Sequence, residues 1–394
     1  MDEEVTVVVI DNGSGECKAG FAGNDAPRTV FSSIVGRPKV PQIMVGLDNN
    51  DVYMGSQAEE KRGVLKMTRP IQEGDVVDWD DMEKLWYYTL QIELKVSPEH
   101  HPLLLTESPL TSRESREKTT QIMFEVFNVP CLYVQSQAVL SLYSGGRTTG
   151  VVFDSGYGVS HAIPVFEGYT IPGGATRIKM SGEHCTDELQ RLLNERAMSA
   201  SAMGIRLMDN TMTKTFTTPT EVEQIRIMKE TLTYCVESYE YALQEASESK
   251  ACEKAYQLPD GSKIVLGKER FCCPEILFNP ELAQRSDIAP EGIQKYIYDS
   301  IMKCEEPIRR DFFKHIMIAG GNTLYPNISQ RLWREINALA PPNHRTKIIE
   351  NPERKYSAWL GGSIHATLST FHTMWITKAE FDESGPSVIH RKCF

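Results

Sequence analysis

The chain of 394 residues exceeds what one hydrophobic core ordinarily organises, so two domains are expected. Its composition, 41% hydrophobic and 24% charged, is that of a globular protein and excludes a disordered one. A formal net charge of −11 argues against general nucleic-acid binding and leaves only local basic sites open.

No apolar run approaches the ~18 residues of a membrane span, and the acidic start Met1-Asp2-Glu3-Glu4 lacks the basic region of a secretory signal. The nine cysteines are scattered without a Cys-x-x-Cys pair, which predicts reduced thiols in a cytoplasmic protein.

Val7–Ile10 runs into Asp11-Asn12-Gly13-Ser14-Gly15, an apolar β-type run ending in Asp-x-Gly-x-Gly. The device returns as Val151–Phe153 followed by Asp154-Ser155-Gly156-Tyr157-Gly158. Seven residues after each Asp stands a cationisable side chain, Lys18 in the first copy and His161 in the second. A buried strand delivering a carboxylate into a glycine-rich turn suits a phosphate site. The glycines admit positive φ and bring N–H groups close to an anion, while the carboxylate faces a cation. One copy is ordinary hairpin chemistry. Two copies in one register, one in each half, predict related hairpins clamping phosphates between two similar domains.

Cys17–Gly23 reads as the returning strand of the first hairpin, with Lys18 either facing phosphate or solvated. Residues 33–69 form a small inserted module. Its Gly36–Gly46 loop presents Val40, Ile43, Met44 and Val45, as either a covered turn or a docking site. A helix is predicted from Asp78, where Asp80 and Asp81 suit the N-terminal dipole and Met82, Leu85, Trp86 and Thr89 share a face. Pro102–Glu107 reads as a buried parallel strand. Ser112–Asn128 reads as a helix, and Cys131–Val134 as a strand leading into a helix that starts near Gln137. This alternation predicts an α/β fold with a mainly parallel sheet. Ligands of such sheets gather at the carboxyl ends of strands, where Asp11, Gln137 and Asp154 fall.

Beyond the second hairpin, residues 182–195 and 220–245 are predicted helices, the latter opened by a capping-box pattern at Thr220-Glu221-Val222-Glu223. Ala197–Thr215, without a sustained period, is predicted as a long surface loop. His315–Ala319 reads as a strand ending in Gly320-Gly321-Asn322. That turn is either plain or admits the adenosine end of a nucleotide beside Tyr325. Lys355–Gly362 precedes a helix expected to return to the first domain.

In this order, two Asp-x-Gly-x-Gly turns, Gln137 between them and a later Gly-Gly turn form the pattern of the actin, Hsp70 and sugar-kinase ATPase fold. That fold places two related α/β domains around a nucleotide cleft. More specific runs resemble the actin family over essentially the whole chain: Lys18-Ala-Gly-Phe-Ala-Gly, Asp78-Trp-Asp-Asp-Met-Glu, Leu140-Ser-Leu-Tyr, Gly146-Arg-Thr-Thr-Gly, Glu353-Arg-Lys-Tyr-Ser, Met374-Trp-Ile-Thr-Lys and His390-Arg-Lys-Cys-Phe.

The resemblance implies ATP or ADP in the cleft with Mg²⁺ or Ca²⁺. Asp11 and Asp154, with Gln137, would hold the metal mainly through water. Ser14, Lys18 and the backbone of Gly13, Gly15, Gly156, Tyr157 and Gly158 would hold phosphate oxygens, and Gln137 and His161 would order the attacking water. Lys229 and Glu230 match nucleoside contacts; Gly321, Leu324, Tyr325 and Lys355 match adenine-side contacts.

It also implies four parts: 1–32, 70–144 and 357–394 as subdomain 1; 33–69 as subdomain 2; 145–180 and 286–356 as subdomain 3; 181–285 as subdomain 4. The 39–51 loop with Met44 resembles the one that inserts into the next filament subunit. Tyr143, Gly146, Thr148, Gly168, Leu360, Ile364, Leu368 and Met374 match the apolar groove that receives that loop and actin-binding proteins. The implied function is a cytoplasmic, cytoskeletal ATPase that polymerises into filaments. The alternative is a non-polymerising actin-related subunit that binds ATP within a larger complex. A small-molecule kinase of the same fold would need an Asp base in a sugar pocket, for which no signature is present.

Some residues depart from the family. Tyr157 and Glu183 stand where Asp and Arg are usual, so a charge pair across the cleft is expected to be lost and nucleotide exchange altered. Thr111 replaces an Asn that the family pairs with Arg177, which predicts faster phosphate escape. Glu73 stands where actin usually has a methylated His. The 197–215 and 279–291 regions are longer than actin's. In the second, Glu281, Gln284, Arg285 and Asp287 replace much of an apolar plug, which predicts weaker or differently paired lateral contacts.

Overall fold

Two sheets repeat one arrangement. In the first, Val8–Asn12 pairs antiparallel with Glu16–Phe21 and parallel with Leu103–Glu107. In the second, Gly150–Ser155 pairs antiparallel with Ser160–Phe166 and parallel with Ile316–Ala319. The registers place Asp11 opposite Lys18 and Asp154 opposite His161. The seven-residue spacing of the sequence is therefore cross-strand pairing in both hairpins. The structure, a computed structural model, describes residues 6–39, 51–202 and 214–393. The polymer-contact residues expected within 40–50, Met44 among them, lie outside the described residues.

Strands covered on both faces need continuous apolar sequence, and these have it. Val8, Val9 and Ile10 are fully buried beside Leu103, Leu104 and Leu132. A second core gathers Val151, Phe153, Ile316 and Ile318 with the helices Gly182–Ala202, Pro219–Leu232 and Ile293–Met302. The inserted module has a minor core of Ile34, Tyr53, Ala58 and Leu65 under the strands Val35–Pro38, Tyr53–Met54 and Leu65–Thr68.

The helix expected at Asp78 spans Trp79–Tyr87 and is capped by the Asp78 carboxylate, which accepts from the Asp81 N–H. Ser112 caps Arg113–Glu125 in the same way. Gln137–Ser144 begins directly after the strand Cys131–Ser136. It packs on Ser357–Ala366 so closely that a Cβ on Gly361 would lie 1.7 Å from the Leu140 carbonyl oxygen. The Gly361-Gly362 pair is thus inside the helix, not ahead of it, because only glycine permits that crossing.

Beside the Gly361-Gly362 pair, four expectations need correction. The sheet is not mainly parallel: each of the two main sheets is mixed, with two parallel and three antiparallel pairings, because each glycine hairpin returns antiparallel. The 220–245 helix is two helices, Pro219–Leu232 and Tyr239–Glu248. The chain leaves the first because the Tyr234 and Cys235 N–H groups donate to the Arg270 and Pro326 carbonyls, while Arg270 Nε takes the Leu232 carbonyl. The capping box uses Thr218 and Glu221, two residues earlier than Thr220 and Glu223. Pro219, with φ preset for the first helical turn, fixes that start. Finally, Ala197–Ala202 is helical rather than loop. Residues 203–213 lie outside the described residues, and Phe216 beyond them is fully buried, its backbone N–H and C=O held by Asn194.

The lengthened 279–291 segment folds onto its own chain. A short turn, Pro280–Ala283, is followed by buried Ile288 and Ala289, and the Ala289 N–H donates to the Lys179 carbonyl. Glu281, Gln284, Arg285 and Asp287 are exposed. Arg285 pairs with Asp187 at 2.7 Å and Asp287 at 2.7 Å.

Candidate functional site

Between the two sheets lies a cavity of about 210 Å³ into which both glycine turns open. Every residue expected at a nucleotide site lines it. Asp11, Gly13, Ser14, Gly15 and Lys18 come from the first hairpin; Asp154, Gly156, Tyr157, Gly158 and His161 come from the second. Gln137, Lys229, Glu230, Gly321, Leu324, Tyr325 and Lys355 complete the set.

None of the four turn glycines, Gly13, Gly15, Gly156 and Gly158, adopts positive φ, and Gly13 and Gly15 are required by close approach instead. A Cβ on Gly13 would sit 2.7 Å from the Glu16 carbonyl oxygen, and one on Gly15 would sit 2.6 Å from Tyr157 Cβ. Gly320 and Gly74, which also line the cavity, both have φ 86°, and a Cβ on Gly320 would strike Ser155 and Asp154.

Asp11 accepts from Lys18 Nζ at 2.9 Å, Thr106 Oγ1 at 2.6 Å and Gln137 Nε2 at 2.8 Å. Burial pushes its carboxyl up, but the Lys18 ammonium and these donors outweigh it and hold the pKa below the usual value. Asp154 differs: burial and the charge of Asp11 raise it to about 6, against the opposing pull of Lys18. A buried carboxylate, Asp11, and a half-buried one, Asp154, facing one space, the second of them resisting ionisation, fit a cation between them. Among the described residues no group of three His, Cys, Asp or Glu is placed to grip a bare ion, so two carboxylates suit an ion that keeps much of its water. His161 is 2% exposed and lowered to about 3, first by burial and then by Arg177, so it is neutral at physiological pH. Its Nε2 has no partner within the protein.

At the other end, buried Lys229 donates to the Gly182 carbonyl at 2.8 Å, and exposed Glu230 is held by Arg226 at 2.8 Å. The Tyr325 hydroxyl donates to Asn322 Oδ1 at 3.0 Å, and Asn322 Nδ2 donates to Ser155 Oγ at 3.0 Å. Lys355 and Glu16 pair at 2.9 Å, joining the two halves.

Four residues here escaped the sequence reading: Thr106, Arg69, Asn322 and Arg226. Thr106 had a signal, a hydroxyl ending the apolar run Leu103–Leu105. Arg69 had none.

The charge pair expected to be lost at Tyr157 and Glu183 is replaced, not simply missing. The Tyr157 hydroxyl donates to Glu183 Oε1 at 3.4 Å, and the Arg69 guanidinium lies 4.3 Å from the Tyr157 ring centroid. Thr111 bonds to the Ser108 carbonyl, and Arg177 pairs with Asp75 at 2.7 Å. Glu73 pairs with Lys179 at 3.2 Å. In the groove, Gly168 abuts the Tyr143 hydroxyl and donates to the Thr148 carbonyl, with Gly146 nearby in the chain at φ 65°. Leu360 and Met374 are half-buried, while Ile364 and Leu368 are exposed at 46% and 47%.

Paired glycine hairpins from two α/β sheets, facing each other across a cleft, define the class: a two-domain ATPase fold. The family model described as Actin matches residues 2–394, and the chain belongs to the actin family. It is an actin-like ATP-binding protein. No described helix is long and apolar enough to cross a membrane.

Proposed function

We propose that this protein hydrolyses ATP and polymerises from globular monomers into cytoskeletal filaments in the cytoplasm, with hydrolysis coupled to assembly. The observation that carries the reading is the convergence of both hairpins, with Asp11, Lys18, Asp154 and His161, on one cavity. Lys18, Ser14 and the glycine N–H groups hold the phosphates. Asp11 and Asp154, with Gln137, would hold Mg²⁺ or Ca²⁺, and the ion would neutralise phosphate charge. Gln137, fixed by Asp11, and neutral His161, with its free Nε2, orient the attacking water. Such catalysis works by positioning and electrostatics and needs no covalent intermediate. Lys229, Glu230, Gly321, Leu324, Tyr325 and Lys355 enclose the nucleoside.

The four-part division drawn from the family is part of this proposal, as is the groove around Tyr143 and Ile364 as the seat of actin-binding proteins. A second reading, an ATP-binding subunit of a larger complex, is favoured by one observation: Arg285 ties the 279–291 segment to Asp187 of the same chain. High-speed pelleting after addition of Mg-ATP and salt separates the two. Filament assembly predicts a pellet above a critical concentration that disappears without nucleotide. Protein that stays in the supernatant at every concentration would overturn the filament reading and favour the complex-bound one.

A further inference from the structure

Arg69 is a residue of the inserted module whose hydrogen-bond and ring partners all belong to the two glycine turns. Its Nη1 donates to the Ser14 carbonyl at 2.9 Å and to the Gly15 carbonyl at 3.3 Å. Its guanidinium carbon lies over the Tyr157 ring, 4.3 Å from the centroid. Tyr157 in turn packs against Gly15, where a Cβ would leave only 2.6 Å to Tyr157 Cβ and 3.0 Å to Cγ. Beyond the ring, Tyr157 meets Glu183 through its hydroxyl, and its carbonyl accepts the Glu183 N–H at 2.8 Å.

Arg69 thus contacts both turns at once, and the second turn is linked onward to the start of the helix Gly182–Ala202. Pro70 anchors the base of Arg69, since its carbonyl takes the Val77 N–H at 2.9 Å. The hydrogen-bond and ring partners of Arg69 carry no formal charge, while its own charge acts against burial, with those of Arg226 and Arg62, on the Glu223 carboxyl and helps hold it below the usual range. The side chain also lines the cavity. A planar cation that stacks and donates two hydrogen bonds in one place does what a lysine cannot.

We infer that Arg69 is a positioning residue that clasps the two glycine turns together through Ser14, Gly15 and Tyr157, and so sets the rate at which nucleotide leaves the cleft. This rests on the ATP-binding reading above. The clasp couples two residues that are separate in sequence, so their effects must be non-additive.

The test is release of etheno-ATP from monomers in low salt after a chase with excess ATP. It is run on the wild type, Arg69→Ala, Tyr157→Ala, the double variant and Arg69→Lys, with circular dichroism confirming each fold. Each alanine variant is expected to release nucleotide about tenfold faster, a barrier loss of ~1.4 kcal/mol. The double variant should be within about twofold of the faster single, because either change already opens the clasp. Arg69→Lys, which keeps charge without the stacking plane, should fall between wild type and Arg69→Ala, and it carries the test if the alanine variant does not fold. Wild-type release from Arg69→Ala, or single effects that multiply in the double variant, would overturn the clasp while leaving ATP binding intact. A wild type that binds no etheno-ATP would instead overturn the nucleotide reading, and the clasp with it.

Discussion

Thr106 donates a 2.6 Å hydrogen bond to the carboxylate of Asp11. The second sheet has no equivalent, because the parallel partner of Asp154 is Ala319. Two carboxylates at matching places in related sheets therefore differ: Asp11 is held ionised by Lys18, Thr106 and Gln137, while Asp154 is raised to about 6. Thr106 also accepts from Gln137 Nε2 at 3.3 Å, so one hydroxyl orients both residues.

Replacing Thr106 with valine keeps the shape and removes the hydroxyl. A hydrogen bond to a charged group contributes about 1.5–3 kcal/mol, so ATP turnover should fall roughly ten- to a hundredfold. Nucleotide affinity should change much less, since Thr106 does not line the cavity. Phosphate release and equilibrium nucleotide binding, measured on the same preparation, check both halves; a loss of affinity matching the loss of turnover would contradict the positioning role.

Gln137→Ala removes the amide that Asp11 aligns, and hydrolysis should slow by about a hundredfold, the lower range for a group that positions a proton-transferring water. His161 makes a complementary prediction. Burial and Arg177 hold it near 3, so its neutral form is fully populated throughout pH 6–8. Single-turnover hydrolysis should accordingly show no histidine titration in that range. An inflection near pH 6.5 that vanishes in His161→Asn would place a proton on this ring after all.

Arg177 is tied to Asp75 where the family pairs it with the residue at 111. Asp75 is 41% exposed at its side chain, and such pairs contribute about 0.2–1 kcal/mol. Asp75→Ala should therefore shorten the lag between hydrolysis and phosphate release only about 1.4- to fivefold. A coupled phosphate-release assay resolves that interval, and an unchanged lag would remove Asp75 from the exit path.

His365 lies 7% exposed among Tyr133, Tyr143 and Phe371, with neither ring nitrogen bonded. Burial lowers it to about 4, against 6.5 for an ordinary histidine. The unfolded chain thus takes up a proton between pH 6.5 and 4 that the native protein refuses. Stability must fall as pH drops through that window, by about 1.4 kcal/mol at pH 5.5. His365→Leu should abolish this part of the pH dependence and stabilise the protein even at pH 7. Urea unfolding at pH 7 and 5.5 would expose the error if both proteins lost stability equally.

Much of this was present in the one-dimensional pattern. The hairpins were legible because an apolar run and the glycine turn after it are local, but the seven-residue spacing left Lys18 either facing phosphate or solvated, and the strand registers put Asp11 opposite Lys18 and Asp154 opposite His161. The buried strand Leu103–Glu107 and the helix start at Asp78 were legible for the same reason. Helix ends were less so: Thr218 rather than Thr220 caps its helix, and that helix stops at Leu232 because Arg270 and Pro326 take the following backbone groups. The resemblance marked Tyr157 and Glu183 as departures, but not what replaces them. Arg69 reaches Tyr157 from 88 residues away in the chain, and the Thr106 hydrogen bond to Asp11 spans 95. Local sequence determines strands, turns and the chemistry they carry, because those depend on neighbours a few bonds apart. Only the tertiary structure decides which distant donor meets which carboxylate, because that choice is made by the packing of whole sheets and modules.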